Sequence, residues 1–127
     1  MLNIDKLSRT PLYEQVIEQF ESLIRRGALA PSKQLPSVRA LSEQLAINPN
    51  TLQKAYTELE RRGVCMSVPG TGRFVAPGAA EAIRARGLEK MDEFEEMAKE
   101  LCRAGAAKQQ LLQAVERAFN AHVEDKE

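Results

Sequence analysis

The residues of this 127-residue chain best equipped for chemistry are amides, hydroxyls and cations, gathered in two places. Asn48, Asn50, Thr51, Gln53, Lys54 and Thr57 crowd one short stretch, and the carboxylates Glu58 and Glu60 come only after it. An Asn or Gln amide pairs a donor with an acceptor and so matches N6 and N7 of adenine. A Thr can touch a thymine methyl, and a Lys can read guanine or neutralise a phosphate. Arg39 adds a cation upstream, where it could clamp a phosphate or reach a base. Downstream, Gly70-Thr71-Gly72-Arg73 combines a backbone able to approach a sugar-phosphate chain closely with one more positive charge. Each feature also has a plainer reading. Asn48 and Ser37 are natural helix caps. Thr51 can solvate a first turn, and Arg39 can pair with Glu43 for only ~0.3–0.5 kcal/mol. The glycines satisfy a simple hairpin turn. A dinucleotide site is a poor fit, since a third glycine and a following helix are missing.

Enzymatic chemistry finds no constellation. His122 is the single histidine, which argues against a triad or a multi-histidine metal site. It is expected to be an exposed or interface side chain. Cys65 and Cys102 have neither metal-ligand nor disulfide-framework spacing and suit reduced thiols. Asp92-Glu93-Phe94-Glu95-Glu96 spreads around a helix as a solvated face. The chain is expected to be no enzyme and to need neither cofactor nor metal.

The elements that must position these residues follow from periodicity. Thr10-Pro11 opens a first helix, with Thr as cap and Pro in the first turn. Its apolar stripe is Tyr13, Val16, Ile17, Phe20, Leu23 and Ile24. Arg25, Arg26 and Gly27 end it, and 28–34 is a connector. Ser37 caps a short second helix with Val38, Leu41 and Leu45 on one face, ending near Ala46. Ile47 plugs the core from the turn. Asn48-Pro49 starts a third helix that buries Leu52, Ala55, Tyr56 and Leu59 and stops at Arg61-Arg62-Gly63. The four arginines at these two ends read most simply as charges complementing helix dipoles. About three residues between the second and third helices is the spacing of a DNA-binding helix-turn-helix. The period then switches: Val64, Met66 and Val68 alternate with Cys65 and Ser67, Pro69 to Gly72 turn, and Arg73, Phe74 and Val75 return. A hairpin directly after three helices is a winged helix-turn-helix.

The net charge of zero conceals two halves. Residues 1–77 carry 3 Lys and 7 Arg against 1 Asp and 6 Glu, a net +3. Residues 78–127 carry 4 Lys and 4 Arg against 2 Asp and 9 Glu, a net −3. With Pro77-Gly78 at the change in composition, the expected division is a winged domain over 1–77 and a helical tail over 78–127. A basic half hints at a polyanion. The fold class is mainly α with a small β-hairpin: a winged helix-turn-helix followed by a two-helix dimerisation tail. No apolar run approaches the ~18 residues of a membrane helix and no signal-peptide core opens the chain, so a cytoplasmic location and no membrane partner are expected.

Four segments, Pro11-Leu-Tyr-Glu-Gln-Val, Leu35-Pro-Ser-Val-Arg-Ala-Leu, Ile47-Asn-Pro-Asn-Thr-Leu-Gln-Lys-Ala-Tyr and Gly70-Thr-Gly-Arg-Phe-Val, lie in an order and spacing that resemble the GntR family of bacterial transcription regulators. Asn-Pro-Asn-Thr and Lys-Ala-Tyr look most like its YtrA-type and MocR-type subgroups. A MocR-type regulator continues into a large aminotransferase-like domain. The 50 or so residues after Pro77 are instead similar to a short YtrA-type tail. The resemblance implies a homodimeric transcriptional repressor or regulator that binds double-stranded DNA. Arg39, Asn50, Thr51 and Lys54 match its DNA-contacting positions, and Gly70 and Gly72 its wing tip. Four positions depart from the family pattern. Ser32 replaces a common glycine, Arg73 a frequent small hydroxyl residue, and Gln53 and Pro49 stand where other subgroups carry arginine.

In the tail, Leu88, Met91, Phe94, Ala98 and Leu101, then Leu111, Leu112, Val115, Phe119 and Val123, repeat at spacings of three and four, with a turn at Gly105. Gly87 marks a helix start or bend at Leu88. One helix pair cannot hide this surface, so Leu88, Met91, Phe94, Leu101, Leu111, Leu112, Val115 and Phe119 are expected to meet a second copy. Docking back onto the winged domain is the alternative. A two-fold dimer would set its recognition helices roughly 34 Å apart, on an inverted-repeat operator. The expected DNA-binding set is Ser37, Arg39, Asn48, Asn50, Thr51, Gln53, Lys54, Gly70, Thr71, Gly72 and Arg73. A protein-binding winged helix without a DNA role is the competing function. A small-molecule effector held at the dimer interface is a further candidate partner.

Overall fold

Leu52, Ala55, Tyr56 and Leu59 lie three and four residues apart, so a helix gathers all four on one side, and each is fully buried. In the computed structural model, which describes residues 2–125, with side chains up to residue 121, that helix runs Pro49–Arg61. It is the third of six helices among the described residues: α1 (Leu12–Arg25), α2 (Val38–Leu45), α3 (Pro49–Arg61), α4 (Ala79–Leu88), α5 (Met91–Arg103) and α6 (Lys108–Asp125). Between α3 and α4, β1 (Cys65–Val68) and β2 (Gly72–Val75) pair antiparallel, with Cys65 opposite Val75 and Val68 opposite Gly72. The expectations for His122 and Val123 concern side chains outside the described residues.

The chain forms two compact units, Met1–Ala85 and Arg86–Glu127. In the first, α1 and α2 both pack on α3. Val16, Ile17, Phe20, Leu23 and Ile24 of α1 join Leu41, Ile47 and the α3 stripe in one aliphatic core, and Phe20 meets Tyr56 edge to face at 5.7 Å. Burial of each such side chain contributes about 1.5–3 kcal/mol. Ser37 caps α2 by accepting from the Ala40 amide (3.0 Å), and Asn48 caps α3 by accepting from the Asn50 amide (2.8 Å). Thr10 does not cap α1. Pro11 holds that position, and the Thr10 carbonyl instead accepts from the buried Gln15 amide at 2.9 Å.

Three further features differ from the sequence expectation. The first unit continues past residue 77 to Ala85, because Ala79 and Ile83 of α4 are buried in its core. The tail helix expected from Leu88 is therefore preceded by a separate helix, and α5 begins only at Met91. Met66 and Val68 do not face the core: they are exposed, while Val64 and Cys65 are buried. The ribbon has only two strands and leaves the body after Cys65, so alternation there marks no buried face. Ser32, where glycine is common in the family it resembles, keeps a left-handed φ of +68°.

Arg62 at the end of α3 does more than complement a dipole. It donates to Glu58 of α3 (2.7 Å) and to Glu21 of α1 (2.8 Å), and Arg61 donates twice to the same Glu58 at 2.7 Å. These hydrogen bonds, from Arg61 first and then Arg62, hold the Glu58 carboxyl down to about 2 from its usual 4.5. A depressed carboxylate contributes stability above its unfolded pKa and loses it as pH falls through the folded value. Thermal unfolding followed from pH 6 to pH 2 should therefore show a falling midpoint below about 4.5, and Glu58→Gln should flatten that limb. An identical acid limb in the variant would contradict this assignment.

Candidate nucleic-acid interface

The buried stripe of α3 fixes which of its residues face outward. Asn48, Asn50, Gln53, Lys54 and Thr57 are exposed and Thr51 is half-buried. Ala46, in the turn before α3, adopts the left-handed φ of +54° and lets the chain reverse between α2 and α3 in two residues after it. Lys6 from the N-terminal segment donates to the Ala46 carbonyl at 2.9 Å and braces this turn. Lys54 carries its ammonium 3.8 Å from the Tyr13 ring centre, a cation–π contact that steadies it against α1. Hydrogen bonding to Glu14 raises the Tyr13 phenol above its ordinary range. Gln53 makes only a long 3.4 Å contact to Thr57. The Asn50 side chain, the Lys54 ammonium one turn further on and the N-terminal amides of α3 thus lie on one solvent-facing side of the first two turns, suited to a polyanion and to base edges.

Arg39 of α2 pairs with Glu43 at 3.5 Å, with side chains 91% and 72% exposed. So exposed a pair is weak and leaves the guanidinium exchangeable. Ser37 lies two residues before Arg39, with its hydroxyl oxygen committed to the cap.

The wing is pinned at both ends. β2 is paired on its second edge by the α1–α2 connector: Ser32 donates to Val75 (2.9 Å), Val75 to Lys33 (2.8 Å) and Leu35 to Arg73 (2.8 Å). Gln34 donates to the Thr71 carbonyl at 3.0 Å and so holds the tip. Gly72 takes φ +135°, and a Cβ there would lie 2.6 Å from the Gln34 amide nitrogen. Gly70 and Thr71 are exposed. Arg73 is not free like its neighbours. Its guanidinium lies 5.2 Å from the Tyr56 ring centre and donates to Glu60 at 3.0 Å. Glu60 also accepts from Ser67, and these two hydrogen bonds hold its carboxyl below the usual range against the opposing effect of burial. Burial pushes the Cys65 thiol up to about 11, so it stays protonated at neutral pH.

The first unit therefore brings Ser37, Arg39, Asn48, Asn50, Thr51, Gln53 and Lys54 onto α2 and α3 and carries Gly70, Thr71 and Gly72 on the wing, while engaging Arg73 internally. Gln34 and Glu60 are the site residues that sequence reasoning missed. Neither sits in a local motif, because their partners are distant in the chain.

The second unit has a different character. No residue of α5 is buried. Met91, Phe94, Met97 and Leu101 of α5 face Leu111, Val115 and Phe119 of α6 across an open apolar groove of about 600 Å³. Of the expected interface residues, Leu88 and Leu112 are exposed outside its lining. Met97 is an addition: the stripe ran from Phe94 to Ala98 and passed it over.

The profile of the family described as "Bacterial regulatory proteins, gntR family" matches residues 12–75. The HTH-type transcriptional repressor YtrA of Bacillus subtilis (strain 168) is 44% identical over 79 residues, 62% of this chain and 61% of that protein. The structure titled "Transcriptional Antiterminator from Listeria monocytogenes EGD-e" aligns with a TM-score of 0.71 at 26% identity, over 94% of this chain and 90% of that one. The structure of AraR(DBD) in complex with operator ORX1 aligns with a TM-score of 0.53 at 35% identity, over 59% and 93% of the two chains.

Gly72→Ala should displace the Gln34 amide from Thr71 and strain the backbone, costing roughly 1–3 kcal/mol. A lowered thermal midpoint with faster amide exchange at residues 70–73 would show it. Unchanged exchange would mean that the Gln34 contact does not hold the wing tip.

Proposed function

The chain belongs to the gntR family of bacterial regulatory proteins, and from that membership we propose that it represses transcription by binding an inverted-repeat operator as a homodimer. One observation carries the reading: the helix whose apolar side is wholly buried turns the amides of Asn48, Asn50 and Gln53, part of Thr51 and the Lys54 ammonium outward from its cap and first two turns, with no carboxylate before Glu58. In this reading α3 enters the major groove. Asn50 and Gln53 read base edges, Thr51 touches a thymine methyl or a phosphate, and Lys54 and Arg39 take phosphate or guanine. Ser37 and Asn48 hold the helix starts whose amides favour phosphate. The wing tip, Gly70 to Gly72, lies along the adjacent backbone or minor groove. The likeness to AraR(DBD), solved on an operator, and to YtrA, named a repressor, supports this assignment. Such a regulator works in the cytoplasm, and no helix among the described residues is long and apolar enough to cross a membrane.

The second unit supports the homodimer. Two helices with an open apolar groove and no buried residue on α5 do not make a self-sufficient core. A second copy of the same surface closes the groove, and two-fold symmetry then presents two copies of α3 to one face of a duplex.

Two measurements test the proposal. In gel shift at ~150 mM salt, a duplex from the chain's own promoter should win clearly over random DNA, and Arg39→Ala and Lys54→Ala should each reduce the salt slope by about one. No preference over random DNA would reject the reading. In light scattering after size exclusion, the native chain should run as a dimer and Phe94→Glu as a monomer with a folded first unit. A monomeric native chain would reject the dimer.

A further inference from the structure

The contacts of Arg73 assign it a role other than the phosphate ligand its position in the wing suggests. Glu60 stands on α3, three positions past Thr57, and its carboxylate accepts from Ser67 of β1 and from Arg73 of β2. One side chain of the reading helix thus grips both strands of the wing. Arg73 lies at the same time over Tyr56 of α3, whose hydroxyl donates to the Pro36 carbonyl at 2.7 Å, one residue before the α2 cap. The start of α2, the middle and end of α3 and the base of the wing are joined by this one chain of contacts. With side chains 22% and 32% exposed, the Arg73–Glu60 pair is far better sheltered than the Arg39–Glu43 pair. Shelter of this kind strengthens the interaction and removes the guanidinium from competition by phosphate.

We propose that Glu60 and Arg73 are positioning residues that set the wing at a fixed attitude to α3, so that the wing tip and the first turn of α3 engage one duplex together. The inference rests on the DNA-binding reading and adds to it. It predicts an effect opposite in sign to plain electrostatics. Removing the negative charge of Glu60 from a DNA-facing domain should strengthen binding if Glu60 is a bystander. If Glu60 holds the wing, its removal weakens binding.

The experiment uses the full chain and the duplex that the native chain enriches from random DNA. Glu60→Ala should lower affinity about tenfold, within the range of coupled neighbouring pairs. The salt slope should stay near its native value, and the thermal midpoint should fall modestly with the domain still folded. Arg73→Ala should do the same, the double variant should be no worse than either single one, and hydroxyl-radical protection of the flanks under the wing should fade. Glu60→Gln, which keeps an acceptor for Ser67 and Arg73, should recover part of the loss and keeps the test decisive if the Ala variants unfold. Glu60→Ala binding as well as or better than the native chain would overturn the inference alone, as would an Arg73→Ala salt slope smaller by about one, the mark of a phosphate contact. A native chain that enriches no duplex would overturn the inference together with the DNA reading.

Discussion

Everything in the first unit depends on α3 being buried along one side and open along the other. Leu52, Ala55, Tyr56 and Leu59 are each completely removed from solvent. That burial both holds α1 and α2 in place and fixes the rotation of the helix about its axis. Once the rotation is fixed, Asn50, Gln53 and Lys54 have only the outward side to occupy. The polar first turn is therefore a consequence of the core. A change that loosened the apolar stripe would disorder this outward polar surface even if every polar residue were kept.

The same economy of parts appears in the wing. A two-stranded ribbon is marginal by itself in water. Here it gains a third edge from the connector at residues 32–35, a tip contact from Gln34 and a basal grip from Glu60. The wing is thus held by the elements that surround α3. The second unit stands at the other extreme. Its α5 turns a full apolar stripe to an open groove. The first unit buries its own hydrophobic surface, whereas the apolar stripe of α5 stays exposed. The charge division, +3 before residue 78 and −3 from it onward, also holds for the two units, because residues 78–85 add one Glu and one Arg: the first unit is basic and the second, with the groove, is acidic.

What the sequence made legible was local. Ser37 and Asn48 announce their helices because a cap and its amide are two or three residues apart, and the α1 and α3 stripes announce theirs by period. The polar first turn of α3 was readable for the same reason. The contacts that orient the wing were not. Tyr56 meets Pro36 across 20 positions, Gln34 meets Thr71 across 37 and Arg73 meets Glu60 across 13, so no pattern in a short window reports them. Arg73 in consequence looked like a free cation. The helix Ala79–Leu88 was merged with the tail because only Ala79 and Ile83 are buried on it, too sparse a stripe to show a separate partner. Met66 and Val68 misled in the other direction, since alternation implies a buried face only where a second layer covers the ribbon.

The central claim is that two copies of α3 occupy successive major grooves of one duplex. Methylation protection at guanine N7, an atom that lies in the major groove, tests it most directly. The account predicts two clusters of protected guanines on one face of the enriched duplex, centred about 10 base pairs or a small multiple of that apart. Unprotected N7 positions throughout a duplex that the chain binds specifically, or a single cluster at saturation, would contradict it.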